Sequence, residues 1–312
     1  MIDVKETTYG QWGKCIRISN GSIELYATVD IGPRIIRFGK IDGENVMFED
    51  VNDLLNKEEA APLFAEKFGE DKGVWHIYGG HRLWISPEYL PRTYYPDNEP
   101  VKYELTENGV ILTPPQQVWN QVQYVIEISM SETEDKVSIE HKITNKAPFH
   151  AEFAPWALTV LAQGGKEIIP RNTRDTGLLG NGIIALWPYT KMTDKRVFWG
   201  DKYITLKQDK NAECPFKIGL DSDYCWAAYL IHGDAFIKRY DSNPDGIYPD
   251  GGVNFETYTY THFLEMETLG ELKNLAPEET VSHKEIWEYA KNVAMVEDND
   301  DDIQKFVDKY IN

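Results

Sequence analysis

The stretch Val122-Gln-Tyr-Val-Ile-Glu-Ile-Ser-Met130 alternates apolar with other residues along its whole length. This period of two is typical of a strand that buries one face. After the charged segment 132–135, the alternation resumes over residues 137–143. Two such runs joined by a short polar segment predict neighbouring antiparallel strands. His141 falls on the apolar face of the second run, which favours a core residue over a catalytic one.

Similar patterns recur along most of the chain, and few segments have helical periodicity. Residues 53–68 fit a short helix or an ordered loop, because Pro62 would break a long helix. The four prolines of residues 87–100 predict an extended loop. Pro155, inside a strand pattern, indicates an edge strand or a bulge. Further strands are predicted over residues 23–29, 35–38, 183–188, 196–207, 225–240, 253–268 and 280–289. The fold class predicted is therefore all-β, a sandwich of antiparallel sheets.

Residues 1–295 are predicted to form a single β-domain, and residues 296–312 a separate C-terminal segment. Residues 297–302 are almost entirely acidic and predict a solvated linker. After the linker, four apolar side chains recur at helical spacing. They are Ile303, Phe306, Val307 and Tyr310. This spacing predicts a short helix that docks on the domain or contacts a second subunit, so a homo-oligomer is a possible assembly.

Composition excludes several classes of partner. The formal net charge of −19 argues against nucleic acid and against anionic membrane surfaces. No apolar run is long enough to span a bilayer. Residues 1–13 lack the apolar core of a signal peptide, so the expected location is the cytoplasm.

The sequence also lacks the usual signatures of metal, disulfide and cofactor sites. Three cysteines without a CxxC pair predict neither a disulfide nor a metal site. HExxH, GxSxG and phosphate-binding glycine motifs are absent, so no cofactor is expected. The loop 241–252 is rich in oxygen ligands but lacks the EF-hand pattern, which favours an ordinary turn-rich loop.

Residues 75–88 concentrate the side chains that could bind a ligand. Aromatic rings offer flat apolar surfaces, and arginine offers a charged fork of donors, a mixture that suits a sugar. The simpler interpretation is a tryptophan-rich strand pair that turns at Gly79-Gly80, with its histidines and arginine bonded to nearby carbonyls. The candidate residues of this stretch are His76, Tyr78, His81, Arg82, Trp84 and Glu88.

A second candidate segment is residues 263–268. Its alternation places Glu265 and Glu267 on one strand face and Leu264 and Met266 on the other. Two carboxylates on one face are ordinary solvated surface, unless that face lines a groove. In a groove, each carboxylate would raise the pKa of the other, which suits proton transfer.

Together these segments resemble the galactose mutarotase-like (aldose 1-epimerase-like) proteins, and more closely an uncharacterised bacterial branch of that superfamily. The similarity extends over roughly residues 20–290. The motifs that carry it are residues 80–84 with 87–88, residues 154–159, residues 263–270 with 275–277, and residues 286–287. The resemblance implies a supersandwich of antiparallel sheets with a concave carbohydrate-binding face.

The resemblance also implies a mechanism without a cofactor. In active mutarotases a glutamate on a late strand takes the proton of the anomeric hydroxyl, and a histidine protonates the ring oxygen. Glu267 or Glu265 matches the base, and Glu267 is favoured because the Glu-Thr pair is closer to the mutarotase signature. His81 or His76 would be the acid, and Arg82 would hold the sugar hydroxyls.

One departure from the family pattern keeps other functions open. Active mutarotases carry a histidine where Trp156 stands here, and an indole can stack on a sugar but cannot act as an acid. A non-catalytic carbohydrate-binding protein would stack its ligand on Trp84, Trp156 and Tyr78. A glycosidase or lyase would combine the Glu265 and Glu267 pair with Glu88. Arg34 and Arg82 together would supply two basic groups, which is too few to indicate a site for a phosphosugar. The predicted ligand is a small or oligomeric carbohydrate.

Overall fold

The computed structural model of the protein describes residues 1–68 and 73–312. The strands of sheet one are β1 (Asp3–Thr8), β2 (Lys14–Ser19), β3 (Ile23–Thr28), β4 (Ile35–Lys40), β7 (Gly80–Ser86), β12 (Ala151–Leu161), β14 (Ile184–Leu186), β17 (Phe216–Leu220), β20 (Phe255–Thr259), β21 (Leu264–Leu269) and β22 (Lys273–Leu275). The strands of sheet two are β8 (Lys102–Leu105), β9 (Gly109–Thr113), β10 (Val122–Met130), β11 (Lys136–Asn145), β13 (Lys166–Pro170), β15 (Val197–Trp199), β16 (Tyr203–Lys207), β18 (Trp226–Ile231), β19 (Asp234–Tyr240) and β23 (Thr280–Ala290). A separate strand pair joins β5 (Asn56–Lys57) to β6 (Trp75–His76).

Both large sheets are antiparallel throughout the described residues. Sheet one runs β1-β2-β3-β4-β7-β12-β21-β20-β17-β14, with β22 paired to β12. Sheet two runs β15-β16-β13-β18-β19-β23-β11-β10-β9-β8. This arrangement confirms the predicted all-β fold class, because two antiparallel sheets pack face to face around one apolar core.

The core between the sheets follows the alternation read from the sequence. The inward residues predicted for β10, from Val122 to Met130, are all buried. From sheet one, β7 contributes Leu83 and Ile85, and β21 contributes Leu264 and Met266 to the same cluster. The neighbouring residues of β7 and β21 therefore point to the opposite face of sheet one.

Pro155 lies inside sheet one, so the predicted edge position is wrong, whereas the predicted alternative of a bulge agrees with a one-residue shift of register beside it. Strand β12 pairs with β7 on one side and changes partner on the other, from β21 to β22. Pro155 falls between those two registers, where its missing N–H removes no ladder hydrogen bond. Its carbonyl accepts from the Gly270 backbone N–H at 2.8 Å. A Cβ on Gly270 would lie 2.9 Å from Cδ of Pro155, so glycine is needed there.

Only two α-helices occur in the described ranges, α1 (Ala61–Phe68) and α2 (Asp300–Tyr310), together with short 3-10 turns at Gly10–Trp12, Glu58–Ala60 and Arg92–Tyr94. Pro62 is tolerated because it lies in the first turn of α1, where its N–H would have no helical acceptor. In residues 1–68 and 73–312, no helix is long and apolar enough to cross a bilayer.

The acidic segment before α2 is bound to the domain and is not a solvated linker. Asp298 forms ion pairs with Lys166 at 3.0 Å and with Lys207 at 2.5 Å. Asp300 accepts from the backbone N–H of Asp201 at 2.8 Å. Helix α2 then buries Ile303, Phe306 and Val307 against the outer face of sheet two, where Trp226 and Ile237 belong to the same apolar cluster.

Candidate functional site

A cavity of about 410 Å³ opens on the face of sheet one that points away from sheet two. Its volume lies within the range of small-ligand sites. Strands β5, β6, β7, β12, β17, β20 and β21 supply most of its lining residues. The side chains that matter most for its chemistry are Trp75, Arg82, Trp84, Glu88, Tyr94, Trp156, Tyr189, Lys217, Tyr258, Phe263, Glu265 and Glu267.

Strand register brings these side chains together from distant parts of the sequence. Leu158 in β12 pairs with Arg82 on one side and with Glu267 on the other. Glu267 then pairs with Glu256 of β20. Because directly paired residues point to the same face, Arg82 and the two glutamates form one row on the outer face of sheet one.

Arg82 is held between aromatic rings and a carboxylate. Its guanidinium lies 4.2 Å from the ring centre of Trp84 and 5.5 Å from that of Trp75. Its Nη2 donates to Oε1 of Glu265 at 2.9 Å. Its buried Nε and Nη1 have no hydrogen-bond partner among the described residues. Burial raises the pKa of Glu265, and the charge of Arg82 opposes that rise. Two charge-assisted donor nitrogens of Arg82 are therefore buried without an acceptor among the described residues.

Glu267 is fixed through one oxygen only. Its Oε2 accepts from Nε1 of Trp156 at 2.9 Å and from Nζ of Lys217 at 2.9 Å. Its Oε1 is buried and has no partner within the described part of the chain. A carboxylate oriented in this way keeps one oxygen available as a hydrogen-bond acceptor or as a base.

Lys217 carries the positive charge between two glutamates. Its Nζ lies 2.8 Å from Oε2 of Glu256 as well as 2.9 Å from Oε2 of Glu267. Burial opposes the charge on Lys217, but the two carboxylates outweigh it and hold its pKa well above the usual value. One cation cannot balance two carboxylates, and burial raises the pKa of Glu256 well above its ordinary value.

Six residues predicted from the sequence line this cavity. They are Arg82, Trp84, Glu88, Trp156, Glu265 and Glu267. The alternation predicted for residues 263–268 is confirmed, since Phe263 and both glutamates line the cavity while Leu264 and Met266 enter the core.

His81 lies elsewhere, in contrast to its predicted role as the acid. It shares a strand face with Leu83 and Ile85, so it points into the core between the sheets while Arg82 points outward. Its side chain is fully buried and contacts Thr159 and His141. His81 is therefore a core residue that does not line the cavity.

His76 and Tyr78 also lie outside the cavity. Although β6 places Trp75 in the wall, His76 is on its other side and bonds to Asp53. The Tyr78 hydroxyl donates to Oδ1 of Asn98 at 2.7 Å, and its ring stacks on His76 with centres 5.4 Å apart. Neither side chain therefore lines the cavity.

Arg34 is likewise separate from the cavity. It is buried and forms an ion pair with Asp97 through both terminal nitrogens. The space beside it measures about 30 Å³. A space of this size holds about one water molecule, so it cannot hold a sugar.

Sequence analysis missed Lys217, Tyr258 and Glu256. The available signal was that Lys217 and Glu256 are the charged residues of the short strands β17 and β20. A charged residue inside a buried strand is rare without a partner. The identity of the partner depends on strand register, which the sequence does not give.

The two glycines at the start of β7 allow its backbone to pass close to Phe48 and Ile35. Gly79 and Gly80 have φ of +105° and +62°, a conformation that favours glycine. A Cβ on Gly79 would lie 2.0 Å from the Phe48 carbonyl oxygen, and one on Gly80 would lie 2.2 Å from that of Ile35. The turn predicted at this pair is therefore also a close backbone crossing.

Comparison with solved structures reveals the fold family. A galactose mutarotase-like protein from Lactobacillus casei aligns with a TM-score of 0.53 at 8% identity, over 88% of this chain and 99% of that one. A galactose mutarotase-like protein from Clostridium acetobutylicum aligns with a TM-score of 0.50 at 10% identity, over 93% and 99%. The chain has the galactose mutarotase-like fold. The resemblance inferred from the sequence is thus confirmed for the fold.

A further solved structure matches this chain over only part of its own length. A TPR-domain containing protein from Parabacteroides distasonis aligns with a TM-score of 0.59 at 14% identity. The match covers 89% of this chain, which spans about half of that protein, 47% of its length. No family model and no curated protein match the sequence. At such identities the comparisons establish the fold alone.

The core between the two sheets, directly behind the cavity, contains a buried chain of hydrogen bonds. Nδ1 of His81 lies 2.8 Å from Oγ1 of Thr159, and its Nε2 lies 2.7 Å from Nε2 of His141. Nδ1 of His141 must carry a proton, because it lies 3.0 Å from the carbonyl oxygen of His283. His81 then donates from Nε2 and accepts from Thr159 at Nδ1, so both histidines are satisfied in neutral form.

Glu285 is the charged centre of the same network. Its Oε1 accepts from Nζ of Lys238 at 2.9 Å, and its Oε2 accepts from Nε1 of Trp287 at 2.8 Å. Ligand atoms of His81, His141 and Glu285 lie within 4.8 Å of one another, a possible donor set for a metal. Each side chain already has protein partners, and the charge of Lys238 opposes a cation. The polar atoms of these three side chains are therefore satisfied by protein groups and need no metal ion.

The network predicts a pH-dependent difference in stability. Burial lowers the pKa of His283 to about 3. The unfolded chain therefore binds a proton below about pH 6.5 that the folded chain excludes, and stability from this residue is lost as pH falls. We expect His283→Gln to cost stability at pH 7, and this cost to shrink by up to about 1.4 kcal/mol per pH unit between pH 6.5 and 5.

Urea unfolding at several pH values measures this effect. His150→Gln changes a solvent-exposed histidine and serves as the control. A stability difference between wild type and His283→Gln that does not change with pH would contradict the prediction.

Proposed function

We propose that this protein binds a carbohydrate in the outer-face cavity of sheet one. The observation that carries the proposal is the set of buried polar atoms without partners beside aromatic rings. Among the described residues these atoms are Nε and Nη1 of Arg82, Nε1 of Trp75 and Oε1 of Glu267. Buried polar atoms normally have hydrogen-bond partners, so these point to a polar ligand.

The rings of the cavity suit the apolar faces of the same ligand. Trp75 and Trp84 have ring centres 5.1 Å apart, and Trp84 and Trp156 have centres 5.5 Å apart. Aromatic surfaces interspersed with donors and acceptors match a sugar, whose CH faces are apolar and whose edges carry hydroxyls. An ordinary apolar ligand would leave the polar atoms of the wall unsatisfied.

Anomer interconversion of the aldose 1-epimerase type is the enzymatic candidate. It is favoured by Glu267, whose free Oε1 could accept the proton of an anomeric hydroxyl while Oε2 is held by Trp156 and Lys217. The solved structures with this fold include galactose mutarotase-like proteins. The same fold also supports other functions, so the activity must be argued from the site.

Non-catalytic binding is the alternative, favoured by the absence of histidine from the wall of the cavity, as far as its described residues show. The proton donor to the ring oxygen would then have to be another group. Lys217 is a weak candidate, because its raised pKa makes proton release unfavourable. A glycosidase or lyase is less favoured, since it needs a second carboxyl group and Glu265 is engaged by Arg82.

Arg82→Lys tests carbohydrate binding. The lysine keeps a positive charge near Glu265 but loses the fork of donors that would contact the sugar. Titration of wild type with neutral sugars, followed by calorimetry and by tryptophan fluorescence, should show saturable binding. We expect the variant to bind about 10-fold to 100-fold more weakly, because hydrogen bonds to charged groups contribute about 1.5–3 kcal/mol.

Arg34→Lys is the matched control. Arg34 is buried in an ion pair as Arg82 is, but it lies outside the cavity. If no neutral sugar binds to wild type, or if both variants lose binding equally, the cavity is not the carbohydrate site.

A further inference from the structure

A second cavity of about 340 Å³ adjoins the first. The two have four lining residues in common, which are Glu88, Tyr94, Trp156 and Lys217. The second cavity adds residues that the first lacks, namely Tyr89, Leu90, Trp187, Asp250 and Glu256. The ligand site therefore extends beyond the row of Arg82 and Glu267.

Lys217 lies between the aromatic surfaces of the two cavities. Its Nζ is 4.9 Å from the ring centre of Trp156 and 4.7 Å from that of Trp187. Trp187 lines the second cavity only, and it is partly exposed. A ring bound against Trp187 would therefore be the neighbour of one bound in the first cavity. Two adjacent aromatic surfaces match two consecutive sugar units better than a single ring.

The polar groups of the second cavity are predominantly acidic. Glu88 and Asp250 are acidic, Glu256 is paired with Lys217, and Lys217 is the only cation among the described residues that line this cavity. Oε1 of Glu256 is buried and has no hydrogen-bond partner among the described residues. Buried unpaired acceptors are costly unless a ligand donates to them, and sugar hydroxyls are such donors. Phosphate, sulfate and carboxylate groups would be repelled by this wall.

From these observations we infer that the two cavities together bind a glycan of at least two sugar units, and that the unit in the second cavity carries no anionic group. This inference rests on the proposed carbohydrate binding and adds the length and charge class of the ligand. It assigns Trp187 as the stacking surface of the second unit and Glu256 with Asp250 as acceptors for its hydroxyls.

Calorimetric titration of the full chain tests ligand length. The probes are glucose and galactose against maltose, cellobiose and lactose. We expect at least one disaccharide to bind about 10-fold more tightly than its component monosaccharides, since a second stacked unit adds contacts worth about 1.4 kcal/mol. Trp187→Ala should reduce this affinity ratio to about one, whereas Trp199→Ala, on the edge strand β15 of sheet two, should keep it.

The charge class is tested with a disaccharide that contains a uronate. Wild type should bind it at least about 10-fold more weakly than the neutral disaccharide. Asp250→Asn should narrow this difference by removing one repelling charge, whereas Asp245→Asn, in the same loop but outside both cavities, should not. If the uronate disaccharide binds as tightly as the neutral one, the inference that the second unit carries no anionic group is wrong.

The failure of this inference is distinguishable from the failure of the proposed function. Equal affinities for monosaccharides and disaccharides, unaffected by Trp187→Ala, would mean that only the first cavity is used. Carbohydrate binding would then stand, and the second cavity would not be a sugar site. If none of these sugars binds, the proposed function itself fails.

Discussion

Glu267→Gln is expected to slow enzyme-dependent anomeric exchange by at least about 100-fold, if the protein is a mutarotase. The amide has nearly the same shape as the carboxylate, and its oxygen can still accept from Trp156 or Lys217. It cannot take a proton from an anomeric hydroxyl. Sugar affinity should therefore fall by less than about 10-fold, the loss of roughly one hydrogen bond.

Proton NMR exchange spectroscopy on free aldoses measures the effect. Glu265→Gln is the informative comparison, because Glu265 is the alternative base but is paired with Arg82 at 2.9 Å. A larger rate loss in that variant than in Glu267→Gln would transfer the role of base to Glu265. If wild type binds sugar but does not accelerate exchange above the buffer rate, the non-catalytic function is correct.

Lys238→Met is expected to destabilise the fold by about 3–5 kcal/mol, which is the cost of leaving a buried charge unpaired. Lys238 and Glu285 are both fully inaccessible to solvent. Burial lowers the pKa of Lys238, and the charge of Glu285 opposes that change. The substitution removes this cation and also the donor to the Met266 carbonyl at 3.1 Å.

Urea unfolding followed by circular dichroism measures the loss. Lys142→Met is the matched control, since Lys142 pairs with Glu127 while both side chains remain about one-third exposed, at 31% and 35%. Exposed pairs contribute about 0–1 kcal/mol. The double variant Lys238→Met with Glu285→Gln should recover part of the stability, because no unpaired charge then remains. If Lys238→Met and Lys142→Met lower the free energy of unfolding equally, the buried charge of Glu285 does not need Lys238 as its partner.

Local sequence patterns were sufficient to predict the fold class and half of the candidate site. Strict alternation in β10, β11 and β21 specifies which side chains enter the core, and it correctly grouped Glu265 with Glu267. The same rule applied to β7 separates His81 from Arg82, because adjacent residues of a strand point to opposite faces. The assignment of both to one site came from motif similarity, which does not take this geometry into account.

The remaining features depend on long-range register. Lys217 meets Glu267 only because β17, β20 and β21 are neighbours in sheet one. The partners of Glu285 lie on strands of both sheets, with Thr268 on β21 and Lys238 on β19. Nothing in a single strand predicts such pairings, since a buried charge shows only that a partner exists. The edge position predicted for Pro155 was wrong for the same reason, because its tolerance depends on the change of pairing from β21 to β22.

The division of each site strand into an inward and an outward set of side chains has an evolutionary consequence. In β7 and β21, the residues that build the core and those that form the ligand wall alternate and do not overlap. Substitutions at the outward positions can therefore change the shape and polarity of the cavity while the packing between the sheets is conserved. Specificity within this scaffold should diverge faster than its architecture, consistent with similar folds at 8–14% sequence identity.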